Sequence, residues 1–279
     1  MKEENARSWG DFEKIIGQIE SLRQKEQERQ NAVVDSLYVS ELFYRGQADS
    51  RLKLETTLER SVRYVVSLNE YYRIAKEARP RIETFTDKSW RIPTYEQYSR
   101  WFKSEPPPSP PFNFAVYPYF VYLRHHSFPS PLLDWTSSPY VAAFFAMDNP
   151  VSDAGSVSVY VFWKYPGVEF SDRDKPAIHG LGPNVRSHRR HFLQQSRYTI
   201  CTAQTGDNWV YAKHEDVVAR GETAQDRLWK INIPISARIE FLQKLHKMNI
   251  NSFSLFATED SLLATLAADI FLLNPKSKG

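Results

Sequence analysis

Three short stretches hold the residue types from which chemistry could be built. In Phe43-Tyr44-Arg45-Gly46-Gln47 an arginine follows an apolar run and precedes a glycine. A guanidinium presents a planar fork to a phosphate, and a glycine lets a ligand approach the main chain. The same residues would also serve as a strand-end ion pair and a turn. The second stretch, Arg124 to Pro139, sets His125, His126, Asp134, Trp135, Thr136, Ser137 and Ser138 between apolar flanks. Neighbouring histidines diverge and no cysteine cluster accompanies them, so no metal site is expected. Asp134 can orient a histidine or cap the helix that Ser138-Pro139 starts. The third stretch carries Arg186, Arg189, Arg190 and Arg197 among His188, His191, Phe192 and Tyr198. Arginines that neutralise phosphates beside rings that stack bases suit a nucleic acid or an acidic substrate; a solvated loop has the same composition.

The rest of the chain limits what these stretches can do. Lys and Arg number 36 against 33 Asp and Glu over 279 residues, so attraction to a polyanion has to be local. The one cysteine, Cys201, excludes an internal disulfide and fits a reducing compartment. No apolar run reaches the ~18 residues of a membrane span, and the charged N-terminus leads into no signal core. A soluble, cytoplasmic protein with no membrane partner is expected. At 42% hydrophobic and 14% aromatic residues the chain can build a sizeable core.

Elements that would position the three stretches can be read from periodicity. Trp9, Phe12, Ile15, Ile16, Ile19 and Leu22 form one helical stripe, either packed on the body of the protein or offered to a partner. Residues 40–47 read as a buried strand, and 57–85 as mostly helical. Prolines 106–108, 110 and 111 mark a loop. Residues 114–124 predict a buried helix kinked at Pro118. Ser138 and Pro139 start an apolar helix through Met147. Residues 156–161, 198–200 and 228–233 read as strands, 165–190 as loops. Ser236 is expected to cap a helix carrying Ile239, Leu242, Leu245 and Met248, and a last helix carries Leu262 to Ile270. The chain divides into an N-terminal helical segment (1–39), a mixed α+β domain (40–273) and a tail (274–279).

Together the three stretches resemble the FRG domain family, named for a Phe-Arg-Gly motif that stands here as Tyr44-Arg45-Gly46-Gln47. The family's His-rich turn and its Leu-Leu-Asp-Trp-Thr segment correspond to His125-His126-Ser127-Phe128-Pro129 and Leu132-Leu133-Asp134-Trp135-Thr136. A proline-started Ala/Phe helix follows, and then Gln194-Gln195-Ser196-Arg197-Tyr198-Thr199. Tyr44 replaces a phenylalanine, and Ser127 stands where the family usually has glycine. The order of motifs is also similar to that of ADP-ribosyltransferases. That likeness implies two split, bent β-sheets around a central cleft with peripheral helices, and NAD as co-substrate. It implies that Arg45 holds the NAD phosphates or ribose and that the Gly46 main chain pairs with the nicotinamide amide. Tyr44, Gln47, Trp135, Thr136 and Ser137 would complete the NAD site. Gln195 falls near the position of the family's glutamate.

The function this implies is an ADP-ribosyltransferase toxin or defence effector, such as one acting against phage in a toxin–antitoxin pair. It would modify a macromolecule, with RNA or DNA favoured over protein. Such an enzyme grips pyrophosphate, holds nicotinamide and stabilises a cationic sugar while a nucleophile approaches. A carboxylate suits the last task, and Asp134, Glu222, Glu240 and Glu259 are candidates. The acceptor would lie on Arg186, Arg189, Arg190, Arg197 and Tyr198, and a cognate antitoxin or inhibitor protein would restrain the enzyme. Two alternatives use the same residues: a non-catalytic nucleic-acid or nucleotide-binding module, and a ribonuclease with His126 or His191 as general acid or base.

Overall fold

The computed structural model describes residues 1–31, 40–104, 111–151, 153–164, 175–183, 185, 188–219 and 226–273. Arg186, Glu222, most of the proline loop and the tail therefore lie outside the described residues. In chain order the elements are β1 (Lys2–Asn5), α1 (Trp9–Asn31), β2 (Leu42–Gln47), α2 (Thr57–Ser61), α3 (Leu68–Thr86), α4 (Tyr95–Trp101), α5 (Tyr117–His125), β3 (Leu133–Thr136) and α6 (Pro139–Met147). The second half holds β4 (Ser156–Lys164), β5 (Ala177–Leu181), α7 (Arg189–Leu193), β6 (Ser196–Thr205), β7 (Asn208–Tyr211), α8 (His214–Ala219), β8 (Asp226–Pro234), α9 (Arg238–Lys247), α10 (Ser252–Phe256) and α11 (Glu259–Ala267).

The mixed α+β class is as expected, but the strands are not two separate sheets. Among the described residues they make one eight-stranded sheet, ordered β1-β8-β4-β2-β3-β6-β5, with β7 on β6. It is thinned at one place. β2 pairs β4 along its whole length, from Leu42↔Trp163 to Gln47↔Ser158, yet meets β3 through a single pair, Tyr44↔Thr136. Past Tyr44 the main chain of β2 is open on that side. This seam is where the functional residues gather.

Apolar side chains explain why the seam is held firmly. Trp9, Phe12, Ile16 and Ile19 of α1 pack with α6, α9 and the β2-β4-β8 strands in one core. The α1 stripe is therefore part of the core rather than a partner surface, and Leu22 is its exposed end. A second, aromatic core joins α3 and α5 to β6 through Tyr71, Tyr72, Tyr119, Phe120 and Tyr198. Gly46 is where β2 and α6 cross. A Cβ there would stand 2.0 Å from the Ala142 carbonyl oxygen and 2.6 Å from the Ala146 nitrogen. Only a glycine opposite two alanines permits that approach.

Several expectations change. Pro118 lies in the first turn of α5 and starts that helix instead of kinking it, since proline needs no amide partner there. α9 follows a 3-10 turn over Ile235–Ala237, and its cap position, Ala237, makes no side-chain cap, so Ser236 does not cap it. Within 165–190, read as loops, β5 forms by pairing with β6. The segment read as helical at the N-terminus also contains β1, a parallel edge strand on β8. No described helix is long and apolar enough to cross a membrane.

Candidate functional site

A cleft of about 540 Å³ opens at the seam, within the range of roughly 300–1,000 Å³ that small-molecule sites occupy. Successive strand residues face opposite ways, and this sorts the first motif. Tyr44 turns into the α1 core, where its hydroxyl donates to Glu20 Oε1 at 3.3 Å. Burial, helped by Glu20, raises that phenol well above its ordinary value. Tyr44 still lines the cleft, although its hydroxyl is engaged on the α1 side. Arg45 turns the other way, into the cleft wall, with its side chain 16% exposed. Its Nη1 donates to the Asp134 carbonyl oxygen at 2.8 Å and stands 4.0 Å from Asp134 Oδ2. Burial pulls the guanidinium down to about 10 against the opposing pull of Asp134, so it remains cationic at neutral pH.

Asp134 is shared. Its Oδ2 also accepts from Arg124 Nη2, so one carboxylate lies between two arginines. Arg45 Nε and Arg124 Nε are buried donors without a partner. Both arginines line the cleft, and two guanidinium groups that share one carboxylate leave net positive charge for an anion. Arg60 and Lys53 add further cations, and Glu55 is the other carboxylate on the wall. Reading the sequence missed Lys53 and Glu55, which lie between β2 and α2, and Arg60 on α2, with no motif to mark them. Arg124 was visible as the residue before the histidine pair.

Of the two histidines, His125 and not His126 lines this cleft. His125 Nε2 lies 2.9 Å from the Tyr198 hydroxyl. Burial lowers it to about 4 despite Asp134, so it is neutral at pH 7. Tyr198 is pushed above its ordinary value by burial and then by Asp134. It is a cleft-wall residue, not part of an external basic surface. His126 stands on the far side of the turn with its ring 4.3 Å from that of Tyr122. His191 is held by the Pro183 carbonyl at 3.0 Å and does not line the cleft.

The remaining predicted residues separate in the same manner. Gln47 lines the cleft, and its amide donates to the Lys53 carbonyl at 2.9 Å, tying the cation-bearing segment to β2. Thr136 lines it too, and its hydroxyl accepts from the Ser138 N–H at 3.1 Å, shaping the entry to α6. Trp135 is 3% exposed; its indole N–H donates to Thr199 Oγ1 at 2.8 Å, and that oxygen lies 2.9 Å from Nε2 of the buried His214. Trp135 is both a residue of the cleft wall and part of a core cluster with Tyr160 and Phe162. Gln195 sits on the rim at φ 48°, where its Oε1 accepts from Ser137 Oγ at 3.1 Å. The glutamine that lines the cleft is its neighbour, Gln194.

The described arginines of the third stretch part into two groups, Arg189 and Arg190 at the end of α10 and Arg197 apart from them. Arg197 pairs with Glu41 at 3.0 Å, Arg189 donates to the Ala257 carbonyl, and Arg190 lies 5.4 Å from the Phe256 ring. Arg186 lies outside the described residues. Of the other carboxylates considered, Glu240 accepts from the Trp9 N–H, and Glu259 opens α11; neither lines the cleft. Asp134 is therefore the one of these that lines the cleft among the described residues.

Comparison with known proteins adds a single match. No curated protein and no solved structure matches the chain. The family model of the FRG domain matches residues 40–154. That span contains β2, the His125–Thr136 turn and strand, and α6 behind Gly46, which are the parts that build the seam and its cleft. Residues 40–154 of this chain are an FRG domain.

Proposed function

We propose that the chain is an NAD-dependent ADP-ribosyltransferase that modifies a macromolecule, as a toxin or defence effector. The observation that carries this reading is the cleft at the seam, where two arginines share one carboxylate beside the part of β2 that has no pair with β3. NAD supplies, when bound, a ribosyl carbon whose bond to nicotinamide breaks with the electron pair leaving on neutral nicotinamide. The residues fit such a co-substrate. Arg45, Arg60 and Arg124 offer cations to a pyrophosphate. The main chain at Gly46 offers its hydrogen-bonding groups to the nicotinamide amide. Asp134 or Glu55 places negative charge where positive charge develops and takes the proton that the acceptor loses. His125, neutral at pH 7, positions the Tyr198 hydroxyl beside them.

Because such an activity inside a cell needs restraint, a cognate antitoxin or inhibitor protein belongs to the proposal; its contact surface is not the α1 stripe, which is buried. The test incubates the full chain with NAD labelled in its adenylate and a cell lysate, and measures NAD binding by calorimetry. Label is expected on an acceptor, and Arg45→Ala should reduce transfer at least about 100-fold, as loss of a transition-state contact does. Folded wild-type protein that neither binds NAD nor transfers label overturns the reading. Shortened RNA without label would move the protein to the ribonuclease class instead.

A further inference from the structure

A second groove, of about 1030 Å³, opens beside the cleft and shares His125 with it. Its walls are residues 88–92 after α3, the outer face of α5, and the start of α7. The charge lining it is of one sign. Lys88, Arg91 and Arg189 line it with His126 and His188, and no Asp or Glu does among the described residues. A chain whose acids nearly balance its bases has here sorted its charge. Lys88, Arg91, His126, His188 and Arg189 are all exposed.

Rings are interleaved with these cations. Trp90 and Tyr122 lie 4.5 Å apart and Tyr122 and His126 4.3 Å apart, so three rings follow one another along the wall. The Lys88 ammonium lies 5.1 Å from the Tyr122 ring. Trp90 is fixed at both ends of its main chain: its N–H donates to Glu83 Oε1 at 2.9 Å, and its carbonyl accepts from Arg79 at 3.1 Å. The basic groups also feel one another. His126 and His188 are lowered first by burial and then by neighbouring cations, Lys88 and Arg190 among them. An anion seated among them would relieve that repulsion.

We propose that this groove binds a single-stranded nucleic acid and leads one of its nucleotides past His125 into the cleft. Unpaired strands expose both phosphates and base faces, and a groove that alternates cations with fixed rings answers both. An acidic protein would answer the cations and leave the rings without a role. The delivery step rests on the transferase reading; the binding itself does not. The acceptor site is thereby placed on Lys88, Trp90, Arg91, Tyr122 and His126 together with Arg189 of the third stretch, and not on Arg190 or Arg197, which do not line the groove.

The test measures anisotropy of labelled single-stranded RNA, single-stranded DNA and duplex RNA of equal length with the full chain, across a range of salt. Single strands are expected to bind more tightly than duplex. The exposed double variant Lys88→Ala/Arg91→Ala should bind at least about 10-fold more weakly and flatten the salt slope by about 2, one for each lost phosphate contact. Its NAD affinity should equal that of the wild type, which also shows that it is folded. Wild-type RNA affinity and slope in that variant overturn the proposal, as does a preference for duplex or displacement of RNA by an acidic polypeptide at equal charge. A wild-type chain that binds RNA through these residues but does not bind NAD supports the groove and overturns the transferase.

Discussion

The cleft and the groove are neighbours that share His125, yet they hold their cations in opposite ways. In the cleft, Arg45 and Arg124 are largely withdrawn from water and share Asp134. In the groove, Lys88 and Arg91 stand in solvent on a wall without carboxylates among the described residues. A desolvated, paired cation is fixed in direction and discriminates geometry; breaking its pair leaves an uncompensated charge. A solvated cation is interchangeable with its neighbours, acts through counterion release and is screened by salt. The first arrangement suits one small ligand in one orientation, and the second a polymer whose register can vary.

The comparison can be broken most severely at Gly46, because the cleft wall depends on the crossing of β2 and α6. Gly46→Ala puts a methyl group within 2.0 Å of the Ala142 carbonyl oxygen, a main-chain atom that cannot turn aside. The helix must shift, and the expected loss is about 3–5 kcal/mol of stability, read from the urea midpoint. The groove is built on residues 88–92, α5 and the start of α7, and none of its lining residues belongs to β2 or α6. Whatever folded fraction remains should keep its RNA affinity and lose NAD affinity.

Acid tests the residue the two regions share, His125, together with His214 in the core behind Trp135. His214 is buried, and its surroundings lower it to about 3; His125 is lowered to about 4. Both lie below the unfolded value of about 6.5. The unfolded chain therefore takes up protons before the folded one does. The stability these groups contribute is complete above about pH 6.5 and is lost as pH falls through 4 toward 3. The denaturation midpoint is therefore expected to fall steadily between those limits when measured against pH. His214→Gln, which can keep a hydrogen bond to Thr199, should flatten the curve. An unchanged curve in that variant would remove His214 from the acid response.

A smaller change would make the cleft resemble the groove. Asp134→Ala leaves Arg45 and Arg124 without their shared carboxylate. Because Asp134 is 36% exposed, the cost is expected at about 1–2 kcal/mol, below that of a fully buried pair. Pyrophosphate should then raise the melting temperature of the variant more than that of the wild type, since the anion takes the vacated role. Equal responses in the two proteins would exclude these arginines as an anion site.

How much of this was legible in the sequence follows from the range of each interaction. Motifs on one strand or one turn were readable: Arg45, Asp134, Thr136 and the Ser138-Pro139 start of α6 lie where their spacing indicated. Ser127 was readable as a departure, and its φ of 61° accounts for the glycine usual at that position. What failed was long-range. β1, Lys2–Asn5, has no apolar alternation and exists because β8 offers it a main-chain edge. Arg60 and Glu55 reach the cleft through the tertiary path of a segment that carries no motif. The grouping of arginines 186–197 was legible only in part: Arg189 and Arg190 on α7 meet the end of α10 at Ala257 and Phe256, and Arg189 lines the groove, whereas Arg197 on β6 holds Glu41.

Arg197 gives the finest test of the contrast between paired and solvated cations. By sequence it belongs with a basic cluster; in the fold it faces away from Tyr198, its neighbour on β6, and its guanidinium holds Glu41 Oε2 through Nε at 3.2 Å and Nη2 at 3.0 Å. Its charge is already answered by a carboxylate that is 47% exposed, so the pair is partly screened. Arg197→Ala should cost about 0.5–1 kcal/mol in stability. It should also leave the salt slope of RNA binding unchanged, while Lys88→Ala alone lowers that slope by about 1. The two residues carry the same charge, so net charge cannot distinguish them. A slope that fell equally in both variants would mean that the RNA follows total charge rather than the carboxylate-free wall, and the distinction between the two regions would fail.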